Sequence, residues 1–221
     1  MKKKNFDINT MKKTLLVALF FVLVSSLQAQ YDTRAKKILD DMSTKYQSYS
    51  AYSADFSYSM VNKVENISDK FNGKITIKGE KYRLDMGIQE IYNNGVTIWT
   101  YMPDEEEVNI TEVDGEDDEL TPSKIFTAYK SGYKYMLLDN EGGADFNVID
   151  LIPEDADEQF FKVRMKISKS KNLIKSWEIF DKNGNNYTYA ILSFNPDNSI
   201  SDSYFEFDAS KHPGVEVVDL R

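Results

Sequence analysis

A chain of 221 residues, 41% hydrophobic and 13% aromatic, is long enough for one domain with a substantial core and short for two. Its formal charge of −9 offers no positive footprint for nucleic acid, and anionic membrane surfaces should repel it as well. The absence of cysteine excludes disulfides, thiolate metal sites, a Cys nucleophile and a cysteine-linked lipid anchor.

In chain order, Lys12 and Lys13 precede an unbroken apolar run, Leu15 to Val24, and then the polar SSLQAQ ending near the small Ala29. This pattern reads as a secretory signal peptide over residues 1–29, with Met11 as an alternative start. The run falls short of the roughly 20 apolar residues of a membrane-spanning helix. Residues 1–29 hold five Lys and one Asp, so their removal leaves 22 basic and 35 acidic residues, a charge of −13. The expected product is one exported, soluble, monomeric domain, residues 30–221.

Thr33 to Gln47 places Ala35, Ile38, Leu39, Met42 and Tyr46 at helical spacing, with Asp32 as N-cap. From Tyr52 the period becomes two: Ala54, Phe56, Tyr58 and Met60 alternate with Asp55, Ser57 and Ser59. Phe71 to Ile77 alternates in the same way, Gly79-Glu80 turns, and Tyr82, Leu84 and Met86 follow. Asn94-Gly95 is a hairpin signal between strands at about 88–92 and 96–102, and a further strand is expected near 108–113. The acidic Glu112–Glu119 interrupts the strands. Thr121 as N-cap, Pro122 and the stripe Ile125, Phe126 and Tyr129 predict a short helix over Thr121–Tyr133. Strands are predicted again at about 134–139, 145–152, 159–168, 173–180, 186–194 and 202–208. Turn residues and no helices between them mean an antiparallel meander.

The catalytic inventory is thin. The lone histidine, His212, stands beside Pro-Gly and reads as a loop residue; no nucleophile elbow, P-loop or zinc-protease motif is present, and no cofactor or metal is implied. Most carboxylates fall in solvated runs, and the spacing of DGEDDE departs from a calcium loop. What remains is apolar and aromatic surface on a wide sheet with only two predicted helices to cover it. Either the sheet closes on itself as a barrel or sandwich, or it leaves a hollow suited to a large apolar ligand.

Five segments in this order carry a resemblance: YSAYSADFSYSM (49–60), NGKITIKGEKYRLDM (72–86), NNGVTIWTYMPDEEEV (93–108), LTPSKIF (120–126) and FEFDASKHPGVEVVDL (205–220). Together they resemble the periplasmic outer-membrane lipoprotein carrier family, LolA, most specifically in the run from Asn94-Gly95 through Trp99 and Tyr101 to Pro103. The resemblance implies a mainly β (α+β) fold, an incomplete, curved antiparallel barrel of about eleven strands. The N-terminal helix and the short central helix would cover its concave apolar face. It further implies a periplasmic carrier, not an enzyme, that binds the acyl chains of lipoproteins. Its partners would be an inner-membrane lipoprotein-releasing transporter and an outer-membrane acceptor. The expected cavity lining is Phe56, Tyr58 and Met60, then Ile75 and Ile77, then Tyr82, Leu84 and Met86, and finally Trp99 and Tyr101. Ile125, Phe126 and Tyr129 would cover it as a lid. Family members often use an Arg-Pro pair after the second strand to hold the lid. Gly79-Glu80 stands there in this chain, which leaves Arg83 as the candidate for lid control. Alternatives are a lipid- or lipoprotein-sensing module on the same fold, a secreted hydrolase using carboxylates such as Asp55 and Asp85, or a β domain whose aromatics are all core.

Overall fold

The computed structural model describes residues 32–113 and 126–221. The signal segment 1–29 with Lys12 and Lys13, the acidic run 114–119, and Thr121 to Ile125 lie outside the described residues. The first element, α1 (Thr33–Gln47), starts where the Asp32 carboxylate accepts from the backbone N–H groups of Arg34 and Ala35 at 2.9 and 3.3 Å. Ala35, Leu39, Met42 and Tyr46 fall on one stripe of α1 and are all buried.

Among the described residues twelve strands follow: β1 (Tyr52–Asn62), β2 (Ile67–Lys78), β3 (Lys81–Asp85), β4 (Glu90–Asn93), β5 (Thr97–Met102), β6 (Glu107–Glu112), β7 (Tyr133–Leu137), β8 (Phe146–Pro153), β9 (Phe160–Ser168), β10 (Ile174–Asp181), β11 (Asn185–Pro196) and β12 (Glu216–Asp219). They form one sheet in the order β12-β6-β5-β4-β3-β2-β1-β11-β10-β9-β8-β7. Every pairing is antiparallel except β12 on β6. A twisted sheet of this width curls, yet β7 and β12 do not meet, so the barrel stays incomplete. Asp32 guards the free edge of β7: its N–H donates to the Tyr135 carbonyl at 3.4 Å, and its Oδ2 accepts from the Leu137 N–H at 3.3 Å.

The turn chemistry acts where the sequence places it. Gly95 at φ +90° closes the β4–β5 hairpin, helped by Asn94 Oδ1, which accepts from the Thr97 N–H at 2.8 Å. Pro103 opens a single 3-10 turn, Pro103–Glu105, before β6.

Two expected elements differ. The described end of the predicted central helix is a single 3-10 turn, Ala128–Lys130, because Gly132 at φ +77° breaks helical continuation and Tyr133 already belongs to β7. The predicted strand 202–208 begins instead as a 3-10 turn, Asp202–Phe205, in a segment that straps the outer face of β3–β5. Phe205 is fully buried, and Phe207 packs on Tyr92 and Tyr101 at 5.6 and 5.1 Å. Lys78 and Lys81 both pair with Asp202 at 2.8 Å, which holds that carboxyl at about 2.

Candidate functional site

Paired residues of neighbouring strands share a face, so register decides what meets on the inside. Tyr52, Ala54 and Phe56 of β1 stand opposite Ile77, Ile75 and Gly73 of β2, and Ile75 and Ile77 stand opposite Leu84 and Tyr82 of β3. On its other side β1 pairs Ala54 with Phe194 and Phe56 with Ile191 of β11; β11 in turn pairs Tyr189 with Trp177 of β10. The long return of the meander therefore joins the two halves of the chain on one face.

The buried stripe of α1 packs on one part of this inner face, against Tyr135, Ile149, Met165 and Ile167 of β7–β9. The helix ends at Gln47, and beyond Tyr46 the inner face of β1–β3 and β10–β11 forms a partly open cavity of about 230 Å³. Its floor comes from Ala54, Phe56, Phe71, Ile75 and Ile77, with Leu84 and Met86 on one flank and Ile174, Trp177, Ile179, Tyr189, Ile191 and Phe194 on the other. Tyr46, Tyr52 and Phe126 complete the wall; the rings of Tyr46 and Phe126 stack at 3.8 Å. Every one of these side chains is apolar or aromatic. The Tyr46 hydroxyl accepts from the Ile174 N–H at 3.2 Å. Burial pushes the phenols of Tyr46 and Tyr52 well above the usual tyrosine range, and that of Tyr189 up to about 12. The wall is uncharged at neutral pH.

Of the expected lining, the structure brings Phe56, Ile75, Ile77, Leu84 and Met86 together, and Phe126 of the expected lid joins them. Tyr58 and Met60 lie on the same face, further along β1, outside that wall. Tyr82 shares the face but is buried in the main core. Trp99 and Tyr101 are corrected: they pair with Tyr92 and Glu90 on the outer face, where Tyr101 packs under Phe207 and His212. Inward positions of β5 belong instead to Ile98 and Thr100, opposite Asn93 and Ile91. Of the expected lid, Ile125 lies outside the described residues. Tyr129 does not reach the cavity; its hydroxyl donates to Asp40 Oδ1 at 2.8 Å and so ties its turn to α1. Arg83 is also corrected. It faces outward, bonded to Glu90 at 2.7 Å between the rings of Tyr92 and Tyr204, and cannot reach a cover on the opposite face. Asp55 and Asp85 share the outer face through Lys74, engaged with Ser193 and the Gly87 N–H. His212 stacks on Phe207 at 4.7 Å.

The lining that sequence reading missed is mostly in the second half. Its signal was there in part: Trp177 and Ile179, and then Tyr189 and Ile191, alternate with period two, whereas a bulge after Ile174 puts that residue out of step. Among the described residues there is no group of three His, Cys, Asp or Glu able to hold a metal ion. No described helix is long and apolar enough to cross a membrane.

Residues 47–208 match the family described as outer membrane lipoprotein carrier protein LolA. The match spans most of the chain, which therefore belongs to this family. No curated protein matches the chain in sequence. Among solved structures, a conserved protein from Thermus thermophilus is similar with a TM-score of 0.55 at 12% identity, over 85% of this chain and 99% of that one. That likeness shows a shared fold. A LolA superfamily protein from Nitrosomonas europaea (TM-score 0.43, 15% identity, 79% and 98% covered) and the Mycobacterium tuberculosis lipoprotein LppX (TM-score 0.44, 12% identity, 75% and 99% covered) are more distant.

Proposed function

We propose that this protein is a periplasmic carrier that holds the acyl chains of lipoproteins in its cavity and passes them from inner to outer membrane without catalysis. Residues 1–29 direct its export. An inner-membrane releasing transporter loads it and an outer-membrane acceptor unloads it. The observation that carries this reading is the wall of the partly open cavity: about 230 Å³ lined, among the described residues, by apolar and aromatic side chains alone. With Asp55 and Asp85 on the other face of the sheet, no carboxylate of that pair reaches a ligand inside.

The magnitude suits a carrier. A cavity of about 150 Å³ holds a benzene ring, so this one holds roughly nine carbons on the same scale. At about 0.8 kcal/mol per buried methylene, that is about 7 kcal/mol, a micromolar grip that can be released. Native mass spectrometry of the mature chain from envelope extracts should find bound lipoprotein or acyl species, and the protein should detach lipoproteins from spheroplasts. Leu84→Asp, half-buried on the cavity flank, should fold and emerge empty. Wild-type protein that is always empty and detaches nothing would end this reading.

A further inference from the structure

The apolar inner face continues past the cavity. The next rank across four strands is made of rings: Phe71, Tyr58, Tyr189 and Trp177 stand opposite one another in register. Phe71 stacks on Tyr58 at 4.5 Å, Tyr58 meets Tyr189 edge-on at 5.2 Å, and Tyr189 lies flat on Trp177 at 4.8 Å. One rank further, Met60 stands between Tyr187 of β11 and the exposed Asp69 of β2, which borders the apolar path on that side. Phe71, Tyr189 and Trp177 also belong to the cavity wall, so the two surfaces are continuous. The four rings of the first rank, Met60 and Tyr187 are only half-buried. Beyond them the apolar path ends in a polar cluster: the Tyr187 hydroxyl and Asn185 donate to Asp181, and Asn62 donates to Asn185.

Half-exposed apolar surface of this extent, which no described element covers, points to a ligand surface on an acidic protein. Capacity identifies the ligand. The cavity takes roughly nine carbons of a straight chain, and the remainder of a long acyl chain needs apolar surface continuous with it. We propose that Tyr58, Met60 and Tyr187, reached across the shared rings of Phe71, Tyr189 and Trp177, form a second, half-open subsite of the same ligand, one acyl chain longer than the cavity holds. The methyl end fills the cavity, and the half nearer the polar head lies across the rings toward Asp181 and Asn62. This rests on the acyl-binding reading, and it makes chain length the quantity the protein discriminates.

The test uses the mature chain carrying Trp99→Phe, so that Trp177 alone reports by fluorescence, and monomeric lysophosphatidylcholines with acyl chains of eight to sixteen carbons. Affinity should improve about two- to fourfold per methylene along the whole series, a gain of at least about 50-fold from ten to sixteen carbons. In Tyr58→Ser, and separately in Met60→Ser, the gain should stop near ten carbons while the eight-carbon affinity stays unchanged. Both positions are half-buried, so the substitutions spare the core. A series that levels off at ten carbons before any substitution, or variants that keep the full slope, overturns the second subsite and leaves the cavity reading standing. Absence of binding at every length overturns both.

Discussion

Gly73 on β2 lies beneath the ring of Phe56, and a Cβ built there would come within 2.5 Å of that ring and 2.8 Å of the Asp85 carbonyl. The missing side chain lets Phe56 lie flat on the cavity floor while β3 stays close. Gly73→Ala should therefore cost about 1–3 kcal/mol, read as a lower urea midpoint, and should narrow the cavity as well. A variant as stable as the parent would show that Phe56 can turn aside freely. Single residues also show how far sequence reading reaches. Phe56, Ile75 and Leu84 are legible as cavity candidates because alternation and burial agree there. Trp99 and Tyr101 are equally apolar, but alternation says only that a strand has two faces, not which one is inside. The register of β5 on β4 settles that by placing Trp99 opposite Tyr92.

At the scale of elements, α1 decides where the cavity lies, because its length sets how much of the inner face is filled. Asp32 controls that placement: one carboxylate serves the first turn of the helix and the edge of β7 together. Burial alone would raise its pKa, but the N–H groups of Arg34, Ala35 and Leu137 outweigh it and hold the carboxyl below the usual aspartate range. A lowered folded-state pKa means the stabilisation is present above about pH 4 and is lost as pH falls through the folded value. Asp32→Ala should cost about 1–2 kcal/mol at pH 7, and Asp32→Asn should flatten the acid side of the stability profile. Thermal or urea unfolding from pH 7 to 3 checks both; an unchanged acid limb in Asp32→Asn would remove the carboxylate from this role. The helix was readable from its stripe and cap. Of the predicted central helix only the end from Phe126 is described, and there the left-handed Gly132 imposes a turn that the start signals Thr121 and Pro122 do not foretell.

For the molecule as a whole, the same apolar interior that makes the cavity makes the fold sensitive to alkali. Tyr46 and Tyr52 are held neutral by burial, with Ile174 and Tyr46 as their respective neighbours, and both titrate far above an unfolded tyrosine. Below about pH 10 both states are protonated and this contribution is fully present. Above it the unfolded chain releases protons that the folded chain keeps, so stability falls. The loss should approach about 1.4 kcal/mol per phenol for each pH unit above 10. Urea midpoints at pH 8, 10 and 11 should show the decline, and Tyr52→Phe should weaken it. A midpoint flat through pH 11 would mean that solvent reaches these phenols.

The sequence by itself determined the local states. Helical spacing and Asp32 specify α1, period two specifies the strands, Asn-Gly and Pro103 specify the turns, and five segments carry the family resemblance. These signals are local because propensity, capping and alternation act over a few residues. Only the tertiary structure decided which face is inside, where α1 stops covering it, and that β11 returns to β1. That pairing brings Trp177, Tyr189 and Ile191 to Phe56, and the strap from Asp202 to Phe207 claims Tyr101 and Arg83 for the outer face. Those choices depend on strand register across more than a hundred residues, and no periodicity within one strand encodes the register of another.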